Sequence, residues 1–203
     1  MRGSAAMATA VGLTLLCASV RGQDGADLTI RLERESEAEA LMARQLEALV
    51  QKHDVEPWVL TRAVVIDERS IPHSHPVLTL HTRHIGDEVM LLSSFVHEQL
   101  HWLEEARADS WMKAMQELRT LFPEVPASSQ GGARDEESTY RHLLVCDLEY
   151  QAMTTLVGHD KARETLGRIT HYEWIYDQVL DDPRVREVSL RHGFDVRAGA
   201  RAR

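Results

Sequence analysis

Cysteine is nearly absent from this chain: Cys17 and Cys146 are the only two. Cys17 lies in an apolar N-terminal segment, behind Leu16, a residue larger than lipoprotein processing normally accepts. Once that segment is removed, Cys146 stands alone. No intrachain disulfide is expected, and Cys146 reads as a buried core thiol. Positive charge is also scarce. The chain carries 23 Lys and Arg against 32 Asp and Glu, a formal charge of -9, which argues against nonspecific nucleic-acid binding. Internal repeats and coiled-coil heptads are missing, so neither a solenoid nor a long coiled coil is expected.

The apolar run from Ala5 to Val20 is short for a membrane span. With Arg2 before it and Val20-Arg21-Gly22 after it, residues 1–22 read as a signal peptide, or as an N-terminal anchor if they are not cleaved. Both versions place the protein outside the cytoplasm, periplasmic or secreted, with membrane association only through this segment. The 203-residue length, 43% hydrophobic and 27% charged content fit one globular domain over 23–195. The basic tail 196–203 is expected to be disordered.

The chain is organised around His97-Glu98-Gln99-Leu100-His101. Four residues turn a helix by roughly 400°, so the two imidazoles share one face. They can hold one metal ion, and Glu98 can then reach a water on it and act as base, the HExxH chemistry of zinc peptidases. A short motif also arises by chance as a surface pair. Its setting favours a site: Val89, Leu92, Val96, Leu100 and Leu103 form an apolar stripe beside the polar stripe Ser93, His97, His101, Glu104. Asp87 is the expected N-cap of a helix running to about Glu105.

Before this helix the sequence predicts a strand at Asp27–Leu32, a helix from a Ser36/Glu39 capping box to about His53, a strand at Thr61–Asp67, a loop through Ser70–Pro76, and a strand at Val77–Thr82. After it come helices only: about Arg107–Leu121, about Ser138–Val157, one capped by Asp160 and running to about Leu180, and a last one opened by Asp182-Pro183. Between them, Pro123–Glu137 reads either as a lid or binding loop or as a disordered connection. The fold class is α+β, a small N-terminal mixed sheet followed by a helical half.

A catalytic zinc site needs a third protein ligand. Glu104 and Arg107 occupy the positions where the metzincin pattern requires Gly and His, so that class is excluded. In the segment His142–Met153, Glu149 lies among apolar neighbours, where a carboxylate needs a cation. Glu149 is therefore the expected third ligand. His142, two turns earlier on the same face, is the alternative ligand or a supporting group.

From Pro57 onward the chain resembles a family of small bacterial zincin-like metallopeptidases of the gluzincin type. The likeness rests on Ile71–Leu80, His97–Trp102 and Leu148–Ala152. It implies zinc on His97, His101 and Glu149, with Glu98 as base. The chain departs from the thermolysin pattern at Met153, where an Asp is normal.

Other histidines invite attention. His73, His75, His81 and His84 form a second metal site, a substrate-binding rim, or simply loop and strand positions, the last being preferred. Val77–Thr82 is a candidate edge strand for an extended substrate, with His81 toward the cleft. His171 and Tyr172 are the nearest candidates for an oxyanion donor. Asp147 and Glu104 are candidates to orient ligating histidines. The expected activity is zinc-dependent hydrolysis of a peptide or protein substrate. The rivals are an inactive zincin-fold metal-binding or interaction module, a helical protein with a fortuitous HExxH, and a zinc amidase acting on a non-peptide amide.

Overall fold

The computed structural model describes residues 27–195. The signal-peptide segment, Cys17 and the tail 196–203 lie outside them. The chain forms β1 (Thr29–Leu32), α1 (Glu37–Lys52), β2 (Ala63–Ile66), β3 (Leu78–Leu80), α2 (Glu88–Leu100), α3 (Leu103–Ala106), α4 (Ala108–Leu121), α5 (Glu136–Val157), α6 (His159–Leu166), α7 (Glu173–Asp181) and α8 (Pro183–Arg191). The α+β order therefore stands. No helix among the described residues is long and apolar enough to cross a membrane.

The sheet is parallel rather than mixed. Its order is β1-β2-β3, with Ile30 beside Val64 and Val65 beside Thr79. The α1 crossover returns the chain to the start of the sheet, and the 67–77 loop is long enough to do so again without a helix. That loop also folds back on β3. His73 and Thr79 exchange two backbone hydrogen bonds, 3.1 and 2.8 Å, as an isolated antiparallel bridge. The outer edge of β3 is thus already paired at Thr79, where strand addition by a substrate was expected.

Buried polar groups fix the first layer. Ser36 accepts from the Glu39 amide, but Glu39 does not close the expected capping box. Its carboxylate instead receives the amides of Arg34 and Glu68, tying α1 to the ends of β1 and β2. Gln99, inside the motif, turns away from the cleft. Its Oε1 accepts from the amides of Leu60 and Thr61, and its Nε2 donates to the Thr61 carbonyl, all within 2.9 Å. The motif helix is thereby pinned to the segment entering β2.

Asp87 caps α2 as expected, accepting from the Met90 amide. The helix ends earlier than its apolar stripe suggests. Leu100 is its last residue, and a tight turn at His101-Trp102 leads into α3. Likewise the stretch after Gly158 is two helices, interrupted at 167–172. The centre of the helical half is α5, buried from Ser138 to Met153 apart from Arg141 and packed by α2, α4, α6, α7 and α8. A helix apolar around most of its circumference belongs in such a position. Within the largely exposed 123–135 connection, one stretch is tightly packed: a Cβ on Gly132 would meet the Pro126 carbonyl oxygen at 2.0 Å, and one on Gly131 the Trp174 amide at 2.6 Å.

Candidate metal centre

Helix α2 contributes His97 and Glu98, its C-terminal turn contributes His101, and α5 contributes His142 and Glu149. These two helices pack directly on each other. One nitrogen from each of His97, His101 and His142 lies within 4.8 Å of the other two. The Nε2 atoms of His97 and His101 are 3.3 Å apart. That is long for a hydrogen bond. It matches the roughly 3.3 Å between ligands of a tetrahedral zinc with Zn–N bonds near 2.05 Å.

The opposite ring edges are occupied. His97 Nδ1 donates to Glu149 Oε2 at 2.9 Å. His142 Nδ1 donates to the Ser138 carbonyl at 2.6 Å. In His142 this sets the tautomer and leaves Nε2 with its lone pair toward the shared space; in His97, whose charged form the Glu149 carboxylate favours, an ion has to displace the Nε2 proton. Glu149, 1% exposed, is fully used: Oε1 accepts from the Ser93 hydroxyl at 2.5 Å, and Oε2 also accepts from the Tyr176 hydroxyl at 2.8 Å.

Glu149 was expected beside both motif histidines. It instead joins His97 and Cys146 in a second buried group, on the far edge of the His97 ring from His101. The cation that its burial called for is met by an imidazole N–H and two hydroxyls. Cys146 is fully buried, as expected, and burial pushes its thiol pKa up, with His97 and Tyr176 pulling the other way. A metal in that second group would have to break Glu149's hydrogen bonds. The His97, His101, His142 group requires no such loss, and all three residues line a cleft of about 1040 Å³.

The electrostatics follow from burial and from Glu149. Burial alone lowers the pKa of His97, but the adjoining carboxylate and its hydrogen bond outweigh it and hold the group well above the ordinary value. Burial, then His97 and His142, push His101 well below it. Burial and His97 bring His142 down to about 3. Those two rings are neutral at pH 7, the form a metal binds. Glu98 lines the cleft without a protein hydrogen bond among the described residues. Burial raises its pKa, partly offset by His97 and His73, which suits a general base.

Tyr172 and His171 reach the same cleft. Tyr172 is held at φ 62°, a left-handed conformation strained for a tyrosine, with its ring centroid 4.3 Å from that of His142. His171 stands further out, exposed, its ring edge-on to Tyr172. His73, His75 and His84 line the cleft, but they do not close into a metal group among the described residues. His81 does not face it; its Nδ1 accepts from the Arg83 amide. Asp147 and Glu104 orient no histidine among the described residues. Asp147 pairs with Arg186 at 2.7 Å and Glu104 with Arg141 at 2.7 Å.

Tyr176 carries little signal in the sequence beyond its spacing of four from Tyr172, and nothing local to Ser93 points to Glu149 as its partner. Comparison with protein families, with curated proteins and with solved structures finds no match.

Proposed function

We propose that the protein is a zinc-dependent peptidase whose metal is held by His97, His101 and His142. The observation that carries this reading is the 3.3 Å approach of the His97 and His101 Nε2 atoms, with a His142 nitrogen alongside and Glu98 in the same cleft. This set replaces the two-histidine, one-glutamate set that the gluzincin resemblance implies. Glu149 becomes the carboxylate behind a ligating histidine, a partner that fixes ring orientation and raises ligand basicity. Zincin-like architecture is part of the same proposal.

His97, His101 and His142 would hold the zinc, which when bound would supply Lewis-acid polarisation and a more acidic water. Glu98 takes a proton from the attacking water and delivers it to the departing amine. Tyr172 donates its hydroxyl to the developing oxyanion. The cleft suits a short peptide or an exposed loop.

The test is zinc analysis together with digestion of a mixed peptide library by the purified chain, wild type and Glu98→Gln. The expected result is about one zinc per chain in both, with hydrolysis reduced by roughly 10²–10⁴ in the variant. Hydrolysis that survives Glu98→Gln overturns the mechanism. Bound zinc with no peptide cleaved favours the non-catalytic binding module, and cleavage confined to non-peptide amides favours an amidase.

A further inference from the structure

The cleft of this acidic protein carries both signs. Of 11 histidines, 7 line it, with Glu98, Glu104, Glu105 and Glu149 and with Arg83, Arg134 and Arg141. Two of these guanidinium groups are spoken for: Arg141 pairs with Glu104 at 2.7 Å and Arg134 with Asp135 at 2.9 Å. Nearby Arg168, on the 167–172 connection, pairs with Asp87 at 2.9 Å. The Arg83 side chain has no hydrogen bond or ion pair among the described residues.

The backbone beneath Arg83 is fixed. Its amide donates to His81 Nδ1 at 2.8 Å. Gln45 on α1 donates to the His84 carbonyl at 3.0 Å and accepts from the Gly86 amide at 2.9 Å. The Arg168–Asp87 pair binds the segment carrying His171 to this same corner. Arg83, His84 and His171 therefore share one preorganised part of the wall of the cleft that also holds the three-histidine group. Burial and then the Arg83 charge hold His84 below the ordinary imidazole value, so Arg83 supplies the lasting positive charge there.

We propose that Arg83 is a substrate-binding residue that receives a carboxylate of the peptide, so that the cleft selects substrates carrying a free C-terminal carboxylate or an acidic side chain near the scissile bond. A guanidinium matches a carboxylate with two parallel N–H donors, and a cleft walled by protein strengthens the pairing relative to open water. This inference rests on the proposed peptidase site for its biological meaning, but binding can be read without turnover.

The experiment is calorimetric titration of Glu98→Gln protein with three short peptides of one sequence: a free C-terminal acid, its C-terminal amide, and an amide bearing one glutamate. The same set is applied to Glu98→Gln proteins also carrying Arg83→Ala or Arg83→Lys. Arg83 is exposed and unpaired, so both proteins should fold normally, which thermal unfolding verifies. The expected result is that the acid binds about tenfold or more tighter than the plain amide, that Arg83→Ala removes the preference, and that Arg83→Lys restores part of it. Tight Arg83-dependent binding of the glutamate-bearing amide identifies the side-chain source; its absence identifies the C-terminus. Equal binding of all three peptides, or a preference that survives Arg83→Ala, overturns the inference. An Arg83-dependent preference in a protein whose wild type cleaves no peptide sinks the peptidase reading and leaves the carboxylate site standing.

Discussion

The carboxylate of Glu149 lies 2.9 Å from Nδ1 of His97, on the ring edge away from His101. A ligand and a supporter of a ligand respond differently to mutation, and this pair provides the distinction. His142→Ala removes a proposed ligand and should abolish stoichiometric zinc. Glu149→Gln keeps shape and a hydrogen-bond acceptor while losing the charge, and should weaken zinc by 10–100-fold without abolishing it. Competition against a chromophoric chelator measures both. Wild-type affinity in His142→Ala, with zinc lost in Glu149→Gln, would restore Glu149 as the ligand.

Tyr176 tests the same network one step further out. Its hydroxyl donates to Glu149 from a buried position on α7. Tyr176→Phe leaves the ring packing in place and removes one charge-assisted hydrogen bond, costing roughly 1.5–3 kcal/mol. Urea unfolding should register that loss, and zinc affinity should fall a few-fold because the carboxylate behind His97 is less firmly held. A variant as stable as wild type would show that the bond contributes nothing.

Legibility of the site in the sequence divides along the same line. That His97 and His101 share a face and that Glu149 is a buried carboxylate in need of a partner both follow from helical spacing. Which partner it finds depends on how α5 is rotated against α2, and no spacing within one helix encodes that. His142 and Glu149 are seven residues apart on one face, so either could reach the motif. The outcome turns on Ser138 capturing His142 Nδ1 and on Ser93 and Tyr176 capturing Glu149. The fold divides similarly. Caps at Ser36, Asp87 and Asp182 were readable from local chemistry. The parallel direction of β3 and the breaks at His101 and Gly167 were not, because tertiary packing decides where an amphipathic stripe stops being continuous.

Gln99 shows how a residue inside the motif serves the fold. Its amide satisfies two backbone N–H groups and one carbonyl of Leu60 and Thr61. Gln99→Leu leaves these partly buried groups unpaired and should cost about 3 kcal/mol. Gln99→Glu can still accept both N–H bonds but sets a carboxylate against the Thr61 carbonyl, so its stability should also fall. Urea midpoints test the first value. Unchanged stability in Gln99→Leu would mean that water replaces the lost bonds.

Metal removal should be felt as stability. The three imidazoles converge only in the folded chain, so an ion bound there stabilises it by mass action, about 4 kcal/mol at a free concentration a thousand times Kd. Thermal unfolding with zinc and with a chelator should separate clearly in the wild type and coincide in His142→Ala. Equal shifts in both proteins would place the ion elsewhere.

Tyr172 carries the sharpest catalytic prediction because its fold role and its chemical role can be separated. The left-handed backbone at φ 62° and the ring contact with His142 do not involve the hydroxyl. Tyr172→Phe therefore preserves both, and should leave zinc content intact and stability within about 0.5 kcal/mol. If the hydroxyl donates to the developing oxyanion, kcat should fall by roughly 10²–10³ with KM little changed, since the bond forms in the transition state. His171→Ala, further from the three-histidine group, should lower kcat far less. A kcat untouched by Tyr172→Phe but lost in His171→Ala would reverse the two assignments, and the strained backbone at Tyr172 would then serve to present its neighbour rather than itself.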